Sequence, residues 1–236
     1  MSSLSLTKWY LDCVDDAGNV CIAYWARLAW KKLSIAYSSV LFNGASRDHL
    51  FAVAPPRLEG DELTWSATPL DVEVSMRRLT PAYEESLIDG VTWRCEMPSA
   101  ETTITYNGTT IRGCGYAELL RLDVAPWKLP IDELRWGRFA GAAAAMTWIE
   151  WRGPHPLTRT LVNGVRDETA TTRLSTHDAR IIRDAHLGDT IAIPGLVLPR
   201  RIARTREVKW CARATVTAGD RIVDRGWAVY ETVSFG

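Results

Sequence analysis

A chain of 236 residues is long enough for one large β domain or two small ones, and either can bury a core. Its 28 Lys and Arg balance 28 Asp and Glu, so the formal net charge is zero. That argues against a nucleic-acid binder, whose footprint is a basic excess. The five cysteines (Cys13, Cys21, Cys95, Cys114, Cys211) are odd in number and lack paired short spacing, which fits neither a disulfide framework nor a zinc site.

Residues 9–14 form a short apolar run that predicts a strand, closed by the turn cluster at 15–19. Residues 20–30 follow, with Val20, Ile22, Tyr24, Ala26, Leu28 and Trp30 on one face by period two. The other face, which includes Trp25, is mostly apolar too, so this strand is expected to be covered on both sides. A strand over 33–42 ends at Asn43-Gly44. Further strands are predicted around a Gly60-Asp61 turn, at 72–76 and at 91–95, with one helical turn over 81–87. The strongest local signal is Asn107-Gly108 between the β-branched runs 101–106 and 109–118, a hairpin whose turn needs positive φ at both residues. Pro126 and Pro130 bound a junction at 124–132. Strands are expected at 134–139 and 145–151, with a short helix through 142–146 as an option on alanine propensity. Another strand is expected at 157–162. Residues 171–182 read as a capped helix or, preferably, a hairpin turning at Thr176-His-Asp178, and 191–195 as a loop. The basic run 199–206 reads as a solvated loop and strand edge. Two plain strands end the chain, the second carrying Trp227, Val229 and Glu231 on one face. Short strands with a turn signal every ten or so residues mean a sandwich or barrel, all-β.

Gly113-Cys-Gly-Tyr-Ala-Glu118 is not a phosphate loop, because it lies in a hairpin strand and no helix follows it. Two glycines in a strand signal a bulge or close backbone approach. Tyr116 and Glu118 then point to the same side, being two residues apart. If that side is interior, desolvation readies the carboxyl for acid/base work on a greasy substrate. The competing reading pairs Glu118 with Arg135 or Arg138 and makes it structural. Arg138 and Glu150 form a second pair to weigh, ligand-orienting or purely structural, and Glu231 suits either a barrel mouth or a solvated edge. The histidines show no metal spacing and no serine sits in a nucleophile elbow, so neither a metal nor a cofactor is expected. No apolar stretch approaches the ~20 residues a membrane helix needs, and the first residues do not read as a secretory signal. A cytoplasmic protein is expected, with peripheral membrane contact left open.

Trp93, Pro98 and Ala100, then Asn107-Gly108 and Gly113-x-Gly-Tyr-x-Glu118, resemble the central signature of the carotenoid 1,2-hydratase (hydroxyneurosporene synthase) group. Trp136-Gly-Arg-Phe139 and Trp227-x-x-x-Glu231-x-Val233 are similar to that group as well, so the resemblance spans roughly residues 90 to 236. Leu119-Leu-Arg121 stands where the family has His-Asn-Trp, so only the tyrosine and the acid carry over, to Tyr116 and Glu118. The resemblance implies two tandem lipocalin-like (calycin-type) antiparallel β-barrels or half-barrels, set here at 1–124 and 125–236. It also implies an apolar ligand of terpenoid, carotenoid or polyketide-like character. The expected activity is cofactor-free hydration, isomerisation or cyclisation, with Glu118 and Tyr116 at the reacting centre. Arg138 and Glu150 would orient the ligand, Trp25, Trp136, Trp148 and Trp227 would wall the pocket, and Glu231 would contact the ligand. A non-catalytic carrier and a structural or interaction module are the alternatives.

Overall fold

The computed structural model describes residues 4–30, 33–50, 53–169, 171–190 and 199–236. The chain divides into two compact units, Met1–Val124 with Asn163–Val165, and Ala125–Val162 with Arg166–Gly236. Each is built on one antiparallel sheet.

The first unit contains β1 (Leu4–Val14), β2 (Val20–Trp30), β3 (Leu33–Phe42), β4 (Ala45–Leu50), β5 (Arg57–Glu59), β6 (Glu62–Ala67), β7 (Val72–Arg78), β8 (Tyr83–Ile88), β9 (Val91–Tyr106) and β10 (Thr109–Leu122). Their order is β4-β3-β2-β1-β10-β9-β7-β6-β5, with β8 also on β9. The sheet cannot be flat. β3 and β9 are four strands apart, which at ~4.8 Å per strand would separate them by ~19 Å. Yet the rings of Phe42 and Tyr106 lie 5.9 Å apart. The sheet therefore curls around a core that includes Trp9, Leu11, Trp25, Leu63, Trp65, Met97 and Leu119. Two indoles from distant strands fasten the segment between β4 and β5 to this core: Trp25 Nε1 donates to Val53 O at 2.9 Å, and Trp65 Nε1 to Ala54 O at 2.9 Å.

The second unit holds β11 (Glu133–Gly141), β12 (Ala145–Arg152), β13 (Leu157–Val162), β14 (Val165–Arg166), β15 (Thr172–His186), β16 (Arg206–Ala218) and β17 (Arg221–Ser234). Two helical turns, α1 (Leu187–Thr190) and α2 (Arg200–Ala203), precede β16. The order is β14-β13-β12-β11-β17-β16-β15, and Phe139, Met146, Ala214, Val216 and Ala228 form its core. The architecture is all-β, two lipocalin-like antiparallel units.

Asn43-Gly44 and Asn107-Gly108 turn as expected, and Asn163-Gly164, which ends β13, is a third such turn; all have positive φ at both residues. Four expectations are corrected. Where a helical turn was expected over 81–87, Tyr83–Ile88 is strand β8, because it completes the ladder beside β9. The alanine run is a turn, because Asp224 Oδ2 captures the Ala143 and Ala144 N–H groups at 2.6 and 2.8 Å. Residues 171–182 do not turn back: β15 runs on to His186, and the positive φ of Asp178 makes a bulge between His177 and Arg180. The basic run is not wholly solvated. From α2, Arg201 Nη1 donates to Leu129 O at 2.9 Å and Trp127 O at 3.2 Å, and Nη2 reaches Ile131 O. That guanidinium fixes the Pro-bounded junction, whose Leu129 and Ile131 are buried. The loop expected at 191–195 lies outside the described residues.

Removing this fork leaves covered carbonyls without their donor. Arg201→Ala should lower the unfolding free energy by about 1.5–3 kcal/mol, the range for hydrogen bonds from a charged donor. Exposed Arg204→Ala should stay within about 0.5 kcal/mol. Urea titrations of the two variants provide the comparison.

Candidate functional site

The glycines of β10 bring its neighbours unusually close. A Cβ at Gly113 would lie 2.0 Å from Val14 O, and one at Gly115 would lie 2.4 Å from Asp12 O and 2.1 Å from Thr102 Oγ1. Just beyond, the β9–β10 register slips. β9 spends Cys95 to Ala100 where β10 spends only Gly115 to Glu118. The slip sets Glu118 opposite Cys95 and Leu120 opposite Trp93, which lets the indole lean back along the strand. Trp93 Nε1 donates to Glu118 Oε2 at 2.7 Å, and the Tyr116 hydroxyl donates to the same oxygen at 2.8 Å.

The β1–β10 ladder adds a second pair. Tyr10 faces Glu118 and Asp12 faces Tyr116, while the Tyr10 hydroxyl donates to Asp12 Oδ2 at 2.9 Å. Two phenols and two carboxylates thus alternate at the corners of a square, each phenol bonded to the acid two residues along its own strand. The rings of Tyr10 and Tyr116 meet at 6.0 Å and those of Tyr10 and Tyr24 at 5.2 Å, both edge-on. All of this lies on the face of the sheet opposite the apolar core. Asp12 and Tyr116 are fully buried, and Glu118 keeps 9% of its surface. Burial, then the neighbouring Cys95 and Glu118, holds the Tyr116 phenol well above its ordinary value, so it remains a proton donor.

The remaining predicted residues scatter over the two faces of their sheets. Trp25 lies on the core face of the first sheet, away from Tyr116 and Glu118. Trp136, Arg138, Trp227 and Glu231 share one face of the second sheet, and Trp136 stands opposite Glu231. Arg138 is fully buried. Trp148 packs against the core on the other face, its ring filling the space above Gly137. Arg138 and Glu150 are not brought together: Arg138 faces Thr147, while Glu150 faces Arg135 and bonds Arg152 Nε at 2.7 Å. Glu231 is covered rather than solvated and pairs with buried Lys209. Lys209 also meets Glu207 Oε1 at 2.6 Å, and Glu207 meets Arg183 at 2.9 Å, so four alternating charges cross this face.

The sequence reading missed Trp93, Tyr10, Asp12 and Lys209 as parts of these clusters. One signal was available: Tyr10-x-Asp12 repeats the spacing of Tyr116-x-Glu118. All five cysteines are thiols. Among the described residues no three His, Cys, Asp or Glu side chains are grouped as metal ligands, and no helix is long and apolar enough to cross a membrane.

Fold and cluster together define a class: tandem lipocalin-like β units, the first with acids and phenols buried on its outer sheet face. No protein-family model matches the chain, and no curated protein sequence does. Solved structures do. CghA crystallised with Sch210972 matches with a TM-score of 0.61 at 11% identity, over 98% of this chain and 88% of that one. A second CghA structure gives 0.58 at 10% identity, over 98% and 88%. Kievitone hydratase from Nectria haematococca gives 0.54 at 10% identity, over 99% and 89%. At such identities the likeness is one of fold. It supports the lipocalin-like architecture that the resemblance implied, but not the carotenoid 1,2-hydratase name.

The buried acids of this region give a pH signature. The Cys21 thiol is pushed from 9.0 up to about 12 by burial and then by Asp12, and Tyr116 is raised as well. Both groups hold their protons more tightly when folded, so their contribution is complete below the unfolded values of 9.0 and 10.0. It is lost as pH climbs through the folded ones. Urea midpoints should therefore fall above pH ~9, each group steepening the decline by up to ~1.4 kcal/mol per pH unit. Cys21→Ala and Tyr116→Phe should each make the fall shallower.

Proposed function

We propose that the chain binds a hydrophobic small molecule of terpenoid, carotenoid or polyketide-like character and transforms it by cofactor-free proton transfer at Glu118. The observation that carries this reading is the Glu118 carboxylate, buried on a face rich in aromatic groups and held by two neutral donors. Tyr116 and Trp93 fix its orientation through Oε2. Glu118 is the proton acceptor, and Tyr116, kept as a phenol, is the donor beside it. Taking a proton from one carbon and returning it to another is isomerisation; taking one from water as it adds to a double bond, while Tyr116 gives one to the other carbon and is reprotonated through its hydrogen bond to Glu118, is hydration. The names of the structural neighbours support this direction, since one is a hydratase and another was crystallised with a small molecule.

The near-complete burial of Tyr10, Asp12 and Tyr116 favours a second reading, in which the square of phenols and acids is a structural network and any ligand is merely carried.

Glu118→Gln separates the two. It keeps the shape and an acceptor oxygen but removes the base. With a panel of terpenoids and polyketides followed by mass spectrometry, the variant should lose at least ~100-fold in turnover. It should still quench tryptophan fluorescence on ligand binding. Unchanged turnover, or no fluorescence response of the wild type to any apolar ligand, defeats the catalytic reading.

A further inference from the structure

The far end of the β16–β17 hairpin carries two adjacent aliphatic side chains in water. Ile222 is 47% exposed and Val223 is 37% exposed. Val223 is the extra residue where the β16–β17 register slips, which swings it off the ladder. Ile222 faces Thr217, and Thr217 faces Arg173 on β15. Two residues along the same face, Arg225 stands opposite Thr215. Two further on, Arg213 stands opposite Trp227, its guanidinium 5.2 Å from the indole ring.

Arg173, Arg213 and Arg225 are exposed, and among the described residues none of the three forms an ion pair. The carboxylate nearest in sequence, Asp224, is engaged by Ala143 and Ala144 N–H. In a chain whose charges sum to zero, this face concentrates uncompensated guanidinium groups around an indole, with two aliphatics at its tip. A free phosphate or carboxylate would engage the arginines but leave Ile222 and Val223 in water. An anionic bilayer satisfies both. Its phosphates and carboxylates meet the arginines, its interfacial layer suits the indole, and the aliphatic tip enters the headgroup boundary.

We propose that this end of the second unit docks on anionic lipid surfaces. Docking would bring the protein to the phase in which apolar small molecules are concentrated. The surface stands on its own observations and does not depend on the chemistry proposed for Glu118.

The test is sedimentation with phosphatidylcholine vesicles, either pure or containing about a quarter phosphatidylserine. The wild type should bind the anionic vesicles, more weakly as salt is raised, and leave the neutral ones in solution. Each arginine near such a surface is worth about five-fold in partitioning, so Arg173→Glu/Arg225→Glu should lose at least ~25-fold. Ile222→Asp should lose binding at low salt too. Arg47→Glu/Arg57→Glu, the same charge change on exposed arginines of the first unit, should bind as the wild type does. Glu118→Gln should bind fully, which keeps this result separate from the fate of the catalytic reading. No binding, equal binding to both vesicle types, or equal loss in the control pair overturns the proposal. Unchanged binding by Ile222→Asp also overturns it, in favour of a surface for acidic proteins. A urea titration of each variant establishes that it is folded.

Discussion

A carboxylate taken out of water must be solvated by something else, and here Glu118 is solvated by a phenol and an indole. Much of the first unit's local geometry follows from that requirement. The indole reaches Oε2 because β9 carries extra residues between Cys95 and Ala100. The strands pack tightly there because Gly113 and Gly115 offer no Cβ to hold them apart. Tyr10 and Asp12 align with Glu118 and Tyr116 because the β1–β10 ladder is unbroken across them. A shift of one residue in the β1–β10 ladder would send half the square to the opposite face, and one in the β9–β10 ladder would turn Trp93 away from Glu118.

The two faces of the first sheet have divided their labour. One is apolar, and its indoles spend their N–H groups on backbone carbonyls that close the curl. The other carries a buried polar patch around Tyr10, Asp12, Tyr116 and Glu118. The second unit repeats the division with different chemistry: an apolar core under one face, and alternating arginine, glutamate, lysine and glutamate across the other. Buried charges in such a row hold one another at a cost in desolvation that only close geometry offsets.

What the sequence made legible was whatever depends on local backbone chemistry. Asparagine followed by glycine announces positive φ, and all three such turns formed. The period of two placed Tyr116 with Glu118. Partners across strands were illegible, because register depends on bulges that no local pattern announces. Trp93 joins Glu118 only through such a slip, and Glu150 lies on the opposite face from Arg138 because the turn at 142–144 fixes the offset. Asp178 is instructive in the other direction. Its turn signal was real, but tertiary pairing used the positive φ for a bulge and let the strand continue. Arg201 looked solvated because composition cannot show which guanidinium will find carbonyls to hold.

That bulge matters beyond strand geometry. β15 lies at one end of its sheet in the hydrogen-bonded order, and at fifteen residues it is by far the longest of the four end strands. The other three, β4, β5 and β14, run six, three and two residues. A straight edge of that length would template the addition of a strand from another copy of the chain, the first step toward fibrils. The break at His177–Arg180 and a second at Ile181–Arg183 kink and twist that edge, which spoils it as a flat template. Ile181, 61% exposed, sits between the two breaks, where its apolar surface is least able to recruit a partner. The irregularity that defeated the reading of the sequence thus also guards the protein against aggregation.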